Sequence, residues 1–304
     1  MTPLAFFLIL ASAVLHATWN MMAKKSGASL AFYATLGTVG LLWSSVVRHF
    51  SPLGFLSQPP AFHGWLCGML VGELCYAYGI KLAYRTLDMS TAYPMMRSIP
   101  LLLLAGITSA FGFGKPLGWH ALVGMAMVFA GCLVIPMRDF SDFRLSRYVD
   151  RSFGYVLLVA LGTTVYTLCD SQAQRVMIGA ADAAGIAVPK PLLSLTYYSF
   201  RAATLVTVLW IVVLCGRETR AEAAALRQHG LGLALLAGLC SSLTYGLVLI
   251  AMNFVTNVSF VQAFRQIGLL FGLLEGVFLL HERCTAPKVA GIVLILSGLV
   301  LSVL

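Results

Sequence analysis

The sequence predicts an all-α integral membrane protein of ten transmembrane helices, arranged as two inverted five-helix repeats. Three observations carry that expectation. Of 304 residues, 60% are hydrophobic and only 10% charged, with a mean hydropathy of +0.90, which leaves too little polar surface to cover a soluble globule. The apolar residues gather in runs near the roughly 20 residues that cross about 30 Å of hydrocarbon. The second half of the chain also echoes the first.

The runs lie at 3–23, 29–48, 62–83, 87–110, 116–136, 153–174, 192–215, 231–252, 258–280 and 288–304. The first has no basic leader and flows into Lys24 and Lys25, so it reads as a span and not a cleaved signal peptide. It carries Ser12, His16, Trp19 and Asn20 on one stripe. Span 3 holds Glu73 near its middle, where an uncompensated carboxylate is expensive and protonation relieves it. Glu73 is therefore the candidate for proton coupling. Span 4 spaces Ser90, Tyr93, Arg97 and Pro100 along one helical face, and span 9 does the same with Gln262, Arg265, Gly268 and Gly272. Pro94 and Pro100 predict free carbonyls and a kink beside Arg97. Span 6 places Thr163, Tyr166, Thr167 and Asp170 on a stripe like that of span 1.

The repeat is visible in matched pairs. His16 and Asn20 align with Tyr166 and Asp170, Tyr33 with Tyr198, Tyr78-Gly79 with Tyr245-Gly246, Arg97 with Arg265, and Gly124 and Gly131 with Gly291 and Gly298. The offset grows from 150 at His16 to 168 at Arg97, mostly through a longer loop between spans 6 and 7. An odd number of spans per half inverts the second half in the membrane, which puts a ligand site near the midplane between halves. The expected units are residues 1–137, a linker at 138–152, and 153–304. The paired glycines predict close helix contact.

Net charge of +9 does not signal nucleic acid, because the basic residues sit in the connections between spans. One side carries Lys24, Lys25, Arg85, Arg138, Arg144, Arg147, Arg151, Arg217, Arg220, Arg227, Arg283 and Lys288, the other only Arg48, Lys115, Arg175 and Lys190. The rich side is predicted to be cytoplasmic, with both ends of the chain outside. The seven cysteines form no CxxC pair and lie in or beside apolar runs, so neither a disulfide framework nor a metal site is expected. No nucleotide-binding glycine motif is present, and no cofactor is expected.

Span 1, ending His16-Ala17-Thr18-Trp19-Asn20, the two five-span halves, and Leu279-Leu280-His281-Glu282-Arg283 followed by Gly291 and Gly298 resemble the drug/metabolite transporter superfamily, EamA type. The resemblance spans the whole chain. The first half departs from it, with Gly114-Lys115-Pro116 where Glu-Arg belongs, so that element reads as a helix connection and not as chemistry. The resemblance implies a central cavity lined by spans 1, 3, 4, 6, 8 and 9, with span 7 and its Arg201 peripheral and structural. Relatives of this type are commonly drawn with both termini cytoplasmic, whereas the charge count here favours the opposite.

The predicted function is therefore secondary transport of a small organic metabolite, anionic or zwitterionic, by alternating access across a cytoplasmic (inner) membrane. The partners are that solute, a coupling proton and membrane lipid. Arg97 and Arg265 would hold an anionic group, since a guanidinium offers planar donors suited to carboxylate or phosphate. The competing reading pairs each arginine with Glu73 or Glu275. Glu73 or Asp170 would meet a cationic group or a proton. Tyr93, Tyr245, Gln262 and Gln266 would shape the pocket, with His16, Trp19, Asn20 and Tyr166 completing its walls. The alternatives are an exporter of hydrophobic drugs or aromatic amino acids, an intramembrane lipid-head-group enzyme, and a scaffold that transports nothing. The sequence offers no nucleophile, base and metal cluster for the enzyme, and a scaffold leaves two midmembrane arginines without a role.

Overall fold

The computed structural model describes residues 2–26, 29–86, 89–142, 153–271, 274 and 284–304. Apart from one short 3₁₀ turn at Phe140–Asp142, all of its regular structure is α-helical: α1 (Pro3–Ser26), α2 (Leu30–His49), α3 (Pro60–Thr86), α4 (Met89–Phe111), α5 (Trp119–Val134), α6 (Phe153–Ala183), α7 (Lys190–Cys215), α8 (Arg217–His229), α9 (Leu231–Met252), α10 (Val258–Phe264) and α11 (Ala286–Leu301). Six of them, α1, α2, α3, α6, α7 and α9, are long and apolar enough to cross a membrane. Their outward faces suit lipid: Leu42 and Val46 on α2 are 66% and 63% exposed, as expected where the solvent is hydrocarbon. This is an all-helical chain with the character of a multi-pass membrane protein.

Local chemistry fixes the helix starts. Thr2 Oγ1 accepts the Ala5 N–H at 3.3 Å, Ser29 Oγ that of Phe32 at 3.1 Å, and Asn257 Oδ1 that of Ser259 at 2.9 Å, satisfying amide donors that a helix start leaves open. Three boundaries differ from the hydropathy reading. α6 runs to Ala183 and not 174, because Gln172, Gln174 and Arg175 end the apolar run but not a stretch rich in alanine and other helix formers. α8, read as loop, is a helix whose polar sequence carries no hydropathy signal. The continuous span expected at 258–280 is interrupted: α10 stops at Phe264, Arg265 and Gln266 form a turn, and helix resumes at Ile267. α5 and α11, at 16 residues each, reach only about 24 Å.

α3 packs most extensively on α6, α1 on α9, α5 on α11 and α2 on α7, with α4 bridging α5, α6 and α10. Glycine sets two of these crossings. A Cβ on Gly131 would lie 2.6 Å from the Gly291 carbonyl oxygen and one on Gly298 2.5 Å from that of Gly124, which brings α5 and α11 backbone to backbone. Gly72 and Gly162 do the same for α3 and α6, at 2.8 Å and 2.6 Å from each other's carbonyl oxygens. The largest apolar core fills the end near the Phe50–Pro59 and Asn253–Asn257 loops, with Phe55, Phe62, Tyr197 and Phe200 packed edge to face. Smaller clusters occupy the opposite end, where the basic loops lie.

Candidate functional site

A buried charge cluster sits where α3, α6, α7 and α9 converge. Asp170 is fully buried. It accepts a hydrogen bond from the Tyr197 hydroxyl at 2.5 Å and another from the Tyr245 hydroxyl. Arg201 Nε lies 3.3 Å from Asp170 Oδ1, while its Nη2 pairs with Glu73 Oε1. One guanidinium thus serves two carboxylates, and its carbon stands 4.3 Å above the Tyr245 ring, close enough for a cation–π contribution. Tyr245 binds the acid with its hydroxyl and the base with its ring.

Two corrections follow. Arg201, assigned to the periphery, is central, because α7 enters the site through the face that carries Tyr197, Tyr198 and Arg201. Glu73, expected to be an uncompensated carboxylate or the partner of a span 4 or span 9 arginine, pairs with Arg201.

The interruption after α10 builds the second half of the site. In an unbroken helix the Arg265 carbonyl would accept the amide of Leu269; here it accepts Gly268 N–H at 3.1 Å and also the Arg97 Nη2 donor at 2.5 Å. Arg97 Nε donates to Gln266 Oε1 at 3.2 Å, and Gln266 Nε2 returns a bond to the Arg97 carbonyl at 3.0 Å. Arg97 is therefore tied into the break that shapes span 9, in the manner of irregular backbone satisfied by neighbouring helices. Arg265 donates a long bond to Gln262 Oε1, at 3.4 Å, interacts with the Tyr166 hydroxyl and lies 5.9 Å from the centre of the Tyr245 ring, while no carboxylate among the described residues forms an ion pair with it. His16 Nδ1 accepts from Trp19 Nε1 at 3.1 Å, which puts the proton of a neutral ring on Nε2 and leaves that nitrogen a donor.

These groups line two adjoining chambers. The larger is a partly open cavity of about 110 Å³, with Glu73, Arg201, Arg265 and the rings of Trp19, Tyr33, Tyr76, Tyr166, Tyr198 and Tyr245 on its walls. The smaller, about 40 Å³, is lined by Asn20, Arg97, Thr163, Gln262 and others. His16, Tyr76, Tyr166 and Arg265 face both. Of the residues singled out from sequence, Asp170 and Gln266 lie behind the wall as supports, and Asn20 spends its amide on the His16 carbonyl at 2.6 Å. The side chain of Tyr93 and all of Gly272, Glu275 and Leu279–Arg283 lie outside the described residues. Tyr33, Tyr76, Tyr197, Tyr198 and Arg201 were missed as site residues. The signal available was Arg201 itself, a charge within an apolar run one turn after a Tyr-Tyr pair. Among the described residues no three His, Cys, Asp or Glu side chains cluster as a metal site would require.

No family model matches this chain, and no curated protein does. The fold does have a solved counterpart. A structure described only as "Crystal structure of protein" aligns with a TM-score of 0.66 over 98% of this chain and 95% of its own length, at 15% identity. A likeness at that identity speaks to the fold alone.

Proposed function

We propose that this chain is a ten-span secondary transporter of the drug/metabolite, EamA type, exchanging or exporting a small organic anion or zwitterion, and not an enzyme. The ten spans are α1 to α7, α9, α10 with its continuation, and α11. The packing supports an inverted repeat. If span 1 is exchanged with span 6 and span 3 with span 8, the extensive α3 with α6 and α1 with α9 contacts exchange, while α2 with α7, α4 with α10 and α5 with α11 map onto themselves. The observation that carries the functional reading is the chamber in which an Arg265 guanidinium, with no carboxylate partner among the described residues, and the Glu73–Arg201 pair, backed by Asp170, face one space. An enclosed positive group focuses potential that an anion relieves, and Glu73 on the chamber wall offers a cationic group or a proton its counter-charge. Within this scheme Arg265 and His16 contact the anionic end, and Arg97 holds the backbone that aims Arg265. The chamber lies toward the basic loops, which corresponds to a state facing the cytoplasm.

The ring of tyrosines with Trp19 favours one second reading, an exporter of aromatic or other apolar solutes. Purified protein would be screened for thermal stabilisation by organic anions, zwitterions, cations and neutral aromatics, and hits tested as labelled solutes in liposomes with an imposed pH gradient. Accumulation of an anion or zwitterion supports the proposal. Transport of neutral aromatics alone favours the second reading, and absence of flux for every stabilising solute overturns both.

A further inference from the structure

α8 is held at the membrane surface by both ends. A single residue, Gly216, separates it from the end of α7, and a single residue, Gly230, from the start of α9. Both neighbours are long apolar helices. A 13-residue helix, about 20 Å long, with no slack at either end has to run along the interface between them. Thr219 reinforces this by donating its hydroxyl to the Val213 carbonyl at 2.8 Å, back on α7.

Around that helix the charges are sorted. Thr219 and Leu226 form the buried line. On one flank Glu222 and Glu218 turn to Lys81 of α3, at 2.8 Å and 3.7 Å. On the other flank Arg217, Arg220 and Arg227, all exposed, fall within an arc of about 80° at helical spacing. Glu222 is thus turned to the protein while Glu218 stays largely exposed beside it, and on the far flank the arginines form a stripe of three positive charges. A helix packed on the protein through Thr219 and Leu226 and carrying a basic flank at head-group level is one that anionic lipid surfaces attract.

We infer that α8 is a lipid-binding element whose Arg217, Arg220 and Arg227 engage the head-group phosphates of anionic phospholipids in the leaflet at the basic-loop end. A guanidinium matches a phosphate with two parallel bonds, and three together select a lipid of net negative charge over a zwitterionic one. The inference rests on membrane insertion only and holds whether or not the chain transports anything.

The test titrates full-length protein in detergent with short-chain phosphatidylglycerol or phosphatidylcholine and reads lipid adducts by native mass spectrometry. Phosphatidylglycerol is expected to bind at least tenfold more tightly, and higher ionic strength to erode that preference. Each arginine contributes about fivefold, so Arg220→Gln should weaken phosphatidylglycerol binding by about that factor. The triple Gln variant should abolish the preference and the triple Lys variant retain it. Equal binding of the two lipids by the wild type overturns the inference, as does an undiminished preference in the triple Gln variant. Should that variant not fold, Arg220→Gln and the ionic-strength series on the wild type decide in the same way.

Discussion

Arg201→Gln tests the centre of the site directly. The substitution leaves two buried carboxylates without their cation: Glu73, whose side chain is 14% exposed, and Asp170, whose side chain is 0% exposed. Asp170 keeps the Tyr197 and Tyr245 hydroxyls, so most of the loss falls on Glu73. Removing one partner of a buried pair costs about 3–5 kcal/mol, and at about 2–4 °C per kcal/mol the apparent Tm should fall by roughly 6–20 °C. The loss should come from stranded charge and not from lost packing. Arg201→Gln/Glu73→Gln should therefore recover to within about 2 kcal/mol of the wild type, since replacing a whole buried pair is often close to neutral. Melts followed by tryptophan fluorescence in one detergent at one scan rate would measure this. A loss below about 1 kcal/mol for the single variant, or strictly additive losses in the double, would refute the account of a shared guanidinium.

Arg265→Gln should weaken binding of an anionic substrate by about 2–5 kcal/mol with little change in Tm. Arg97→Gln should lower both, because Arg97 also holds the break; equal behaviour of the two in binding and melting assays would undo the division of labour. Glu73→Gln should abolish pH-dependent accumulation in liposomes, and unchanged pH sensitivity would exclude Glu73 from coupling. Gly131→Ala forces a methyl toward the Gly291 carbonyl and should destabilise by about 1–3 kcal/mol, whereas Gly106→Ala, with nothing within 4 Å, should leave the melting temperature unchanged or slightly raised. Alkaline phosphatase fused after Leu304 should be active and a fusion in the 216–230 connection, which holds α8, inactive, as basic-residue asymmetry requires; the reverse pattern would invert the orientation.

The helices were legible because lipid demands long apolar runs, and the glycine pairs because only glycine lets two backbones meet. α8 was not, since hydropathy is blind to a polar helix, and neither was the break at Arg265–Gln266, which contains no proline or glycine. Pro94 and Pro100 drew attention to span 4, yet α4 continues to Phe111 and the interruption falls across from it. Arg97, Arg265 and Asp170 stood out as charges among apolar neighbours. Which carboxylate would face which arginine was not readable, because Arg201 meets Glu73 across 128 positions of chain and only the packing of α7 brings them together.

The two ends of the molecule are closed to very different degrees, with a kinetic consequence for any alternating-access cycle. At the basic-loop end the chamber is bounded by Trp19, Tyr33 and Leu209, which pack in one of the smaller apolar clusters. At the far end Phe55, Phe62, Tyr197 and Phe200 pack ring against ring, and Phe6 packs against Phe264. Parting that stack separates whole helices and wets aromatic surface at once. In the proposed transport cycle, opening on the far side would therefore be the slow half, and shortening Phe62 or Phe200, both fully buried, should speed turnover while costing about 3–5 kcal/mol of stability.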